Sequence, residues 1–285
     1  MYGKLRTSIM LVGARNSKPP EPLIQSATHR AVLHTNERGT PMKVSVIGAG
    51  AIGGNIARRL SEAGHEVLIA DARGPESVSA EVSDAGAQPA ELEAVTQDRD
   101  VVILAIPFGV QPKLKDLVTT VPDNTVVVDT SNYYPGMNGH IEAVIDGQVE
   151  SLWSQEQLGR PVVKAWNAAL AETQRSMGKP AGSPDRIAIP VAGDSAEARA
   201  TVMQLVDDSG FDAYDAGPLA ESWRQQPGTP AYCTELGLKD LGQALAAADK
   251  DKAPGTRDRL MEHFGSLNEM PSREGTVAIN RAAHH

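Results

Sequence analysis

The chain has 285 residues (30.2 kDa), a formal net charge of −9 and a pI near 5.3, a balance that argues against sequence-independent attraction to nucleic acid or to an anionic membrane surface. A single cysteine, Cys233, rules out an internal disulfide and suits a reducing, cytoplasmic compartment, and no apolar run approaches the roughly 20 residues that a membrane span needs. Seven histidines and one cysteine show no metal-ligand spacing, so no metal is expected, and His284-His285 reads as a solvated end.

The first 41 residues hold six basic and two acidic groups, whereas residues 42 to 285 hold 21 and 34. Lys18-Pro19-Pro20-Glu21-Pro22 reads as an extended linker. Residues 1–41 are therefore expected to be a disordered extension upstream of the domain, with Met42 a candidate native start.

The domain opens with Lys43-Val44-Ser45-Val46-Ile47, whose β-branched content predicts a buried strand. Gly48-Ala49-Gly50-Ala51-Ile52-Gly53 then matches G-x-G-x-x-G and runs into Ile52, Ile56, Leu60 and Ala63, one apolar helix face closed by Gly64. His65 to Ala70 is a second strand, ending at Asp71, eighteen residues past Gly53. Each glycine has its own physical role in such a turn. Gly48 permits the tight bend, Gly50 the close approach of backbone to a diphosphate, and Gly53 the close packing of helix on strand. The diphosphate would sit at the helix N-terminus, where unpaired amides and the helix dipole favour an anion. Asp71 and Arg73 oppose each other. A carboxylate here accepts from a ribose 2′-hydroxyl, as NAD(H) requires, while an arginine pairs with the 2′-phosphate of NADP(H). Ala49, Ala51, Ile52 and Ala72 complete this cofactor-binding set.

Gly74-Pro75 breaks the chain, and short helices are predicted over Glu76 to Ala85 and Glu91 to Thr96. Asp100 to Ile106 is a buried strand stopped by Pro107-Phe108. Ligands in an open parallel sheet lie across the carboxyl ends of the strands, so Ala105, Ile106 and Pro107 are expected at the dinucleotide and Phe108 at its substrate, with core packing the alternative for Phe108. A helix over Lys113 to Val121 leads to the strand Thr125 to Asp129, and Asn132 is the chosen ligand contact of the polar turn that follows. After a helix beginning near Ser154, Pro161 to Asn167 supplies another strand and carries Trp166 and Asn167 to the same edge, with core packing equally open for Trp166. Strands are predicted at Arg186 to Ala192 and Phe211 to Tyr214, and a helix at Ala196 to Asp207 capped by Asp194 or Ser195. Ser222 to Gly228 is polar enough for a pocket mouth, Thr234 to Ala248 is helical, and the charged tail from Lys250 is expected to fray.

This alternation predicts an α/β chain: a Rossmann-type, doubly wound, mainly parallel sheet over residues 42–160, then a smaller C-terminal α/β extension over 161–285 that serves substrate binding and dimer contacts. From Met42 to about Leu245 the chain resembles the coenzyme F420-dependent NADP oxidoreductases. The residues that carry the resemblance are the glycine fingerprint, Arg73-Gly74-Pro75-Glu76-Ser77, Ile106-Pro107, Val163-Lys164-Ala165-Trp166-Asn167, Ala192-Gly193-Asp194 and Asp215-Ala216-Gly217-Pro218-Leu219. The resemblance implies hydride transfer between NADP(H) and coenzyme F420 or a flavin as co-substrate, the acceptor lying near Pro107, Trp166 and Asn167, and a homodimer. The family's phosphate-binding loop uses a serine and an arginine. Only Arg73 matches here, Asp71 and Ala72 departing from the pattern. Such chemistry needs no protein acid or base, so no catalytic residue is assigned. The competing readings are an NADP(H)-holding redox sensor without turnover and a β-hydroxyacid or ketopantoate-type dehydrogenase, whose all-helical second domain conflicts with the later strands.

Overall fold

The computed structural model describes residues 40–284, so all but Thr40 and Pro41 of the proposed extension lies outside the described residues. Six strands form one sheet: β1 (Lys43–Ile47), β2 (Glu66–Ala70), β3 (Gln88–Pro89), β4 (Val101–Leu104), β5 (Val126–Asp129) and β6 (Val163–Lys164). Their order is β3-β2-β1-β4-β5-β6 and every pair is parallel. The chain winds one way from β1 to β3, then crosses over to β4, so the topological switch lies between β1 and β4, where open α/β sheets bind ligands. Two further strands, β7 (Ala188–Val191) and β8 (Asp212–Asp215), pair in parallel with each other, and β7 reaches β6 through one antiparallel bridge, Lys164 to Ala192. The predicted fold is the observed one: α/β, doubly wound, with a small α/β extension.

Side chains alternate along the strands, but both faces are covered. Val44, Val46, Val101 and Ile103 point into one core with Ile56 and Leu60 of helix α1 (Ala51–Glu62) and with Val202, Leu205 and Val206 of the Ala196–Asp208 helix. Ile47, Val102, Leu104 and Val127 point into the other, against Val118 and Leu158. Burial on both faces explains why these strands read as continuous apolar runs. No helix among the described residues is long and apolar enough to cross a membrane.

Several elements depart from expectation. β3 was not predicted. It is a two-residue edge strand with Pro89 in it, which is tolerated only where no neighbour needs the missing N–H. The helix expected to begin near Ser154 spans Glu150–Leu158 and buries Glu150, Ser151 and Ser154, polar residues that hide its periodicity. The strand expected over Pro161 to Asn167 shrinks to β6, which lies past residue 160 yet belongs to the first sheet. The tail from Lys250 does not fray but forms helices Ala253–Ser266 and Arg273–Ala282. Its charges are used: Arg273 pairs with Glu235, Arg281 Nε donates to Thr234 O (2.8 Å), and Ser272 Oγ caps the last helix by accepting from Gly275 N (3.2 Å).

Candidate dinucleotide site at the sheet switch point

The turn from β1 to α1 is built by steric exclusion. Gly48 sits at φ +106°, and a Cβ there would stand 2.3 Å from the Ala105 carbonyl oxygen on β4's extension; a Cβ on Gly53 would stand 1.9 Å from Gly48 O. Gly50 is different. Its φ is −73° and a Cβ would meet nothing within 4 Å, so no atom of the described residues requires glycine at this position. The space over Gly50 faces solvent, at the N-terminus of a helix with no side-chain cap and no acidic residue in its first turn. Uncapped helix amides with an open approach suit a diphosphate.

Beside the turn, Asp71 is tied to the loop. Its Oδ2 accepts from Ala49 N (3.0 Å), and its Oδ1 accepts from Arg73 N (3.1 Å) and Arg73 Nε (2.7 Å). The Arg73 hydrogen bond outweighs burial and, with the two backbone amides, holds the carboxyl down at about 2. Ala72 is exposed and the Arg73 side chain is 70% exposed, its two Nη groups making no hydrogen bond among the described residues. Asp71 thus braces the glycine turn and orients a guanidinium with free donors.

At the carboxyl end of β4, Ala105 and Ile106 are half-buried and Pro107 is exposed. Asn132 is half-buried and locked to Asn167: Asn132 Nδ2 donates to Asn167 O and Asn167 Nδ2 to Asn132 Oδ1, each at 3.0 Å. Gln225 closes the knot through Nε2 to Asn167 Oδ1 (2.8 Å) and its own carbonyl, which accepts from Asn167 Nδ2 (2.9 Å). Of the stretch Ser222 to Gly228, Ser222 and Gln225 are interior groups, while Pro227 and Gly228 line a cavity. Phe108 and Trp166 are corrected as ligand contacts. Phe108 is buried, stacked on Trp153 (centroids 4.6 Å apart) and tilted on Tyr133, at the start of the short helix Phe108–Leu114 that follows Pro107. Trp166 is wholly buried at φ +58°, a conformation rare for a bulky residue, and this left-handed turn is what carries Asn167 round to Asn132.

A cluster that sequence reasoning passed over lies beneath this edge. Asp129 ends β5 and Lys164 ends β6; they are in register, and Lys164 Nζ meets Asp129 Oδ2 at 2.7 Å with both side chains at zero exposure. Asp129 Oδ1 also accepts from Gln111 Nε2 (3.0 Å), Ser131 N (2.9 Å) and Ser131 Oγ (2.6 Å). The signal was present: two apolar runs each end in one charge, of opposite sign.

Nearby, Glu150 accepts from Tyr133 N (3.0 Å), and burial, opposed by Lys164, pushes its carboxyl up to about 7. Its ionised form is penalised in the fold but not in the unfolded chain, so its contribution to stability is present below pH 4.5 and is lost as pH rises towards 7, by about 3 kcal/mol at most. Glu150→Gln keeps the acceptor and cannot ionise. Urea melts at pH 5 and pH 8 are expected to show the variant gaining on the wild type as pH rises; a gap that stays constant would refute this assignment.

The model of the family described as NADP oxidoreductase, coenzyme F420-dependent, matches residues 43–133, from β1 through the turn after β5. A crystallised protein of Sinorhizobium meliloti, SMa0349, shares 32% identity, with 68% of this chain covering 95% of that one at a TM-score of 0.58. The chain belongs to the coenzyme F420-dependent NADP oxidoreductase family. Protein YjhV of Escherichia coli is 41% identical over 103 residues, 36% of this chain and 75% of that protein. A candidate F420-dependent NADP reductase of Arthrobacter sp. FB24, at 23% identity, 64% and 87% coverage and a TM-score of 0.51, shares the fold.

Proposed function

We propose that this protein transfers hydride between NADP(H) and a deazaflavin such as coenzyme F420, or a flavin-like acceptor. The observation that carries the reading is the α1 N-terminus at Gly50, without a side-chain cap, flanked by an Arg73 whose Nη groups make no hydrogen bond among the described residues. The amides of the turn bind the diphosphate, Arg73 pairs with the 2′-phosphate, and Ile106 and Pro107 give the nicotinamide an apolar wall. The two bound rings supply the reacting carbons, so the protein's part is to hold them face to face and exclude water. Asn132, fixed by Asn167 and Gln225, orients the acceptor's polar edge from the opposite side. The cytoplasm is the compartment proposed for this reaction, and a homodimer the proposed assembly.

Following loss of the nicotinamide absorbance with F420, FMN or FAD present tests the reading. Turnover on at least one is expected, and tight NADPH binding without turnover on any would make the protein a sensor. Arg73→Ala is expected to weaken NADP by about 1 to 2 kcal/mol and to spare NAD, from the usual strength of a charge-assisted hydrogen bond. Calorimetric titration of both nucleotides checks this, and equal losses would contradict it.

A further inference from the structure

A cavity of about 160 Å³ lies under the C-terminal helices, one layer beyond the Asn132–Asn167 knot: Tyr134 lies on its wall two residues past Asn132, and Cys233 N donates to Ala168 O at 2.9 Å. Its walls are Leu170, Pro227, Leu260, Met261 and Phe264. The Ala253–Ser266 helix buries only Ala253 and Thr256; its Leu260 and Phe264 are half-buried against this space, and Met261, 39% exposed, stands at its solvent-facing rim. Two polar features converge on it. Tyr134 Oη donates to Tyr232 Oη (2.9 Å), and burial raises both hydroxyls and pushes the neighbouring Cys233 thiol up to about 12, so all three stay neutral. Arg257, with an 11% exposed side chain, spends Nε on Asp258 (2.8 Å) and sets its guanidinium carbon 5.7 Å from the centre of the Tyr133 ring, while neither Nη makes a hydrogen bond among the described residues.

About 160 Å³ is close to the volume that holds one benzene ring. An apolar slot for one ring, a neutral hydroxyl pair and one shielded cation with two free donors together define a carboxylate on a small hydrophobic body, because a carboxylate takes two parallel N–H donors from a guanidinium. We propose that this cavity is a binding site for a single-ring aromatic monocarboxylate, with the ring against Leu260 and Phe264 and the carboxylate on the Arg257 Nη groups. It is separate from the dinucleotide crevice and does not depend on the hydride-transfer reading.

Phenylacetate and its neutral counterpart benzyl alcohol are titrated into the full chain without nucleotide, by calorimetry and by saturation-transfer NMR. Phenylacetate is expected to bind at least about tenfold more tightly than the alcohol, the equivalent of one good charged contact. Arg257→Gln is expected to erase that difference while leaving the alcohol's binding unchanged, and Thr276→Phe, which fills the slot from the last helix, to abolish both. Should Arg257→Gln not fold, Arg257→Lys, which keeps the charge but not the paired donors, is expected to lower phenylacetate affinity alone. Equal affinity for acid and alcohol in the wild type would overturn the proposal, as would binding insensitive to Thr276→Phe. No binding of either probe by a dimer that Met261→Arg converts to a monomer would also overturn it, making the cavity part of an interface between copies.

Discussion

Gly50→Ala is expected to leave the melting temperature where it is and to cost NADPH at least about tenfold in affinity, whereas Gly53→Ala is expected to damage the turn itself. The two glycines are three residues apart and do different work. At Gly53 an added methyl would lie 1.9 Å from Gly48 O and 2.9 Å from Ala105 Cβ, and the nearer of these is backbone that cannot swing aside. Relieving that overlap means separating helix α1 from β1 and β4, an overpacking cost of about 1 to 3 kcal/mol or more, with binding lost because the amides move. At Gly50 the methyl meets nothing within 4 Å and φ is already ordinary, so stability should change by less than about 0.5 kcal/mol. What the methyl does occupy is the approach to the helix N-terminus. Thermal melts and NADPH calorimetry on both variants separate the effects. Unaltered NADPH affinity in Gly50→Ala would mean that the diphosphate does not cross this turn, and the proposed function would fall with it.

Lys164→Met is expected to be the most destabilising single change at the sheet edge, at about 3 to 5 kcal/mol. Removing the ammonium leaves the Asp129 carboxylate at zero exposure with only Gln111 and Ser131 to hold it, and a buried charge without its partner costs far more than the pair contributes. The double change Lys164→Met with Asp129→Leu should recover most of the loss, since two apolar groups of similar bulk carry no desolvation penalty. Urea denaturation of wild type, single and double variants measures this. A single variant within about 1 kcal/mol of wild type would show that water reaches the pair. The recovery also separates roles: a double variant that is stable yet inactive would mean that the pair sets the geometry of the Ser131-Asn132 turn above it, to which Lys164 Nζ also donates through the Ser131 carbonyl.

Local chemistry made the front half of the molecule legible in advance. Val44 to Ile47 and Val101 to Leu104 are buried on both faces, so each reads as a strand without its neighbours, and Gly48 and Gly53 have their reason in backbone sterics while Gly50 leaves open space over the turn. Asp71 and Arg73 were also visible as a conflict, which the fold turns into a pair. Where the reading failed, contacts distant along the chain had decided. The last helix is anchored by Arg273 and Arg281, which reach back some 38 and 47 residues to Glu235 and Thr234, partners that no window of sequence contains.

The amino-acid order by itself determined a parallel α/β sheet, the glycine crossing at its centre and the class of ligand that crossing admits, because apolar runs, helix periodicity and the glycine spacing are patterns confined to a few residues. Only the tertiary structure decided that Phe108 and Trp166 face inward, that Asp129 and Lys164 neutralise each other, and that Arg257 stands at the wall of a cavity with no hydrogen bond to either Nη among the described residues. Those outcomes turn on which side of a chain reversal a side chain falls and on which charge stands opposite it, and both are settled by packing between segments, not by propensity within them.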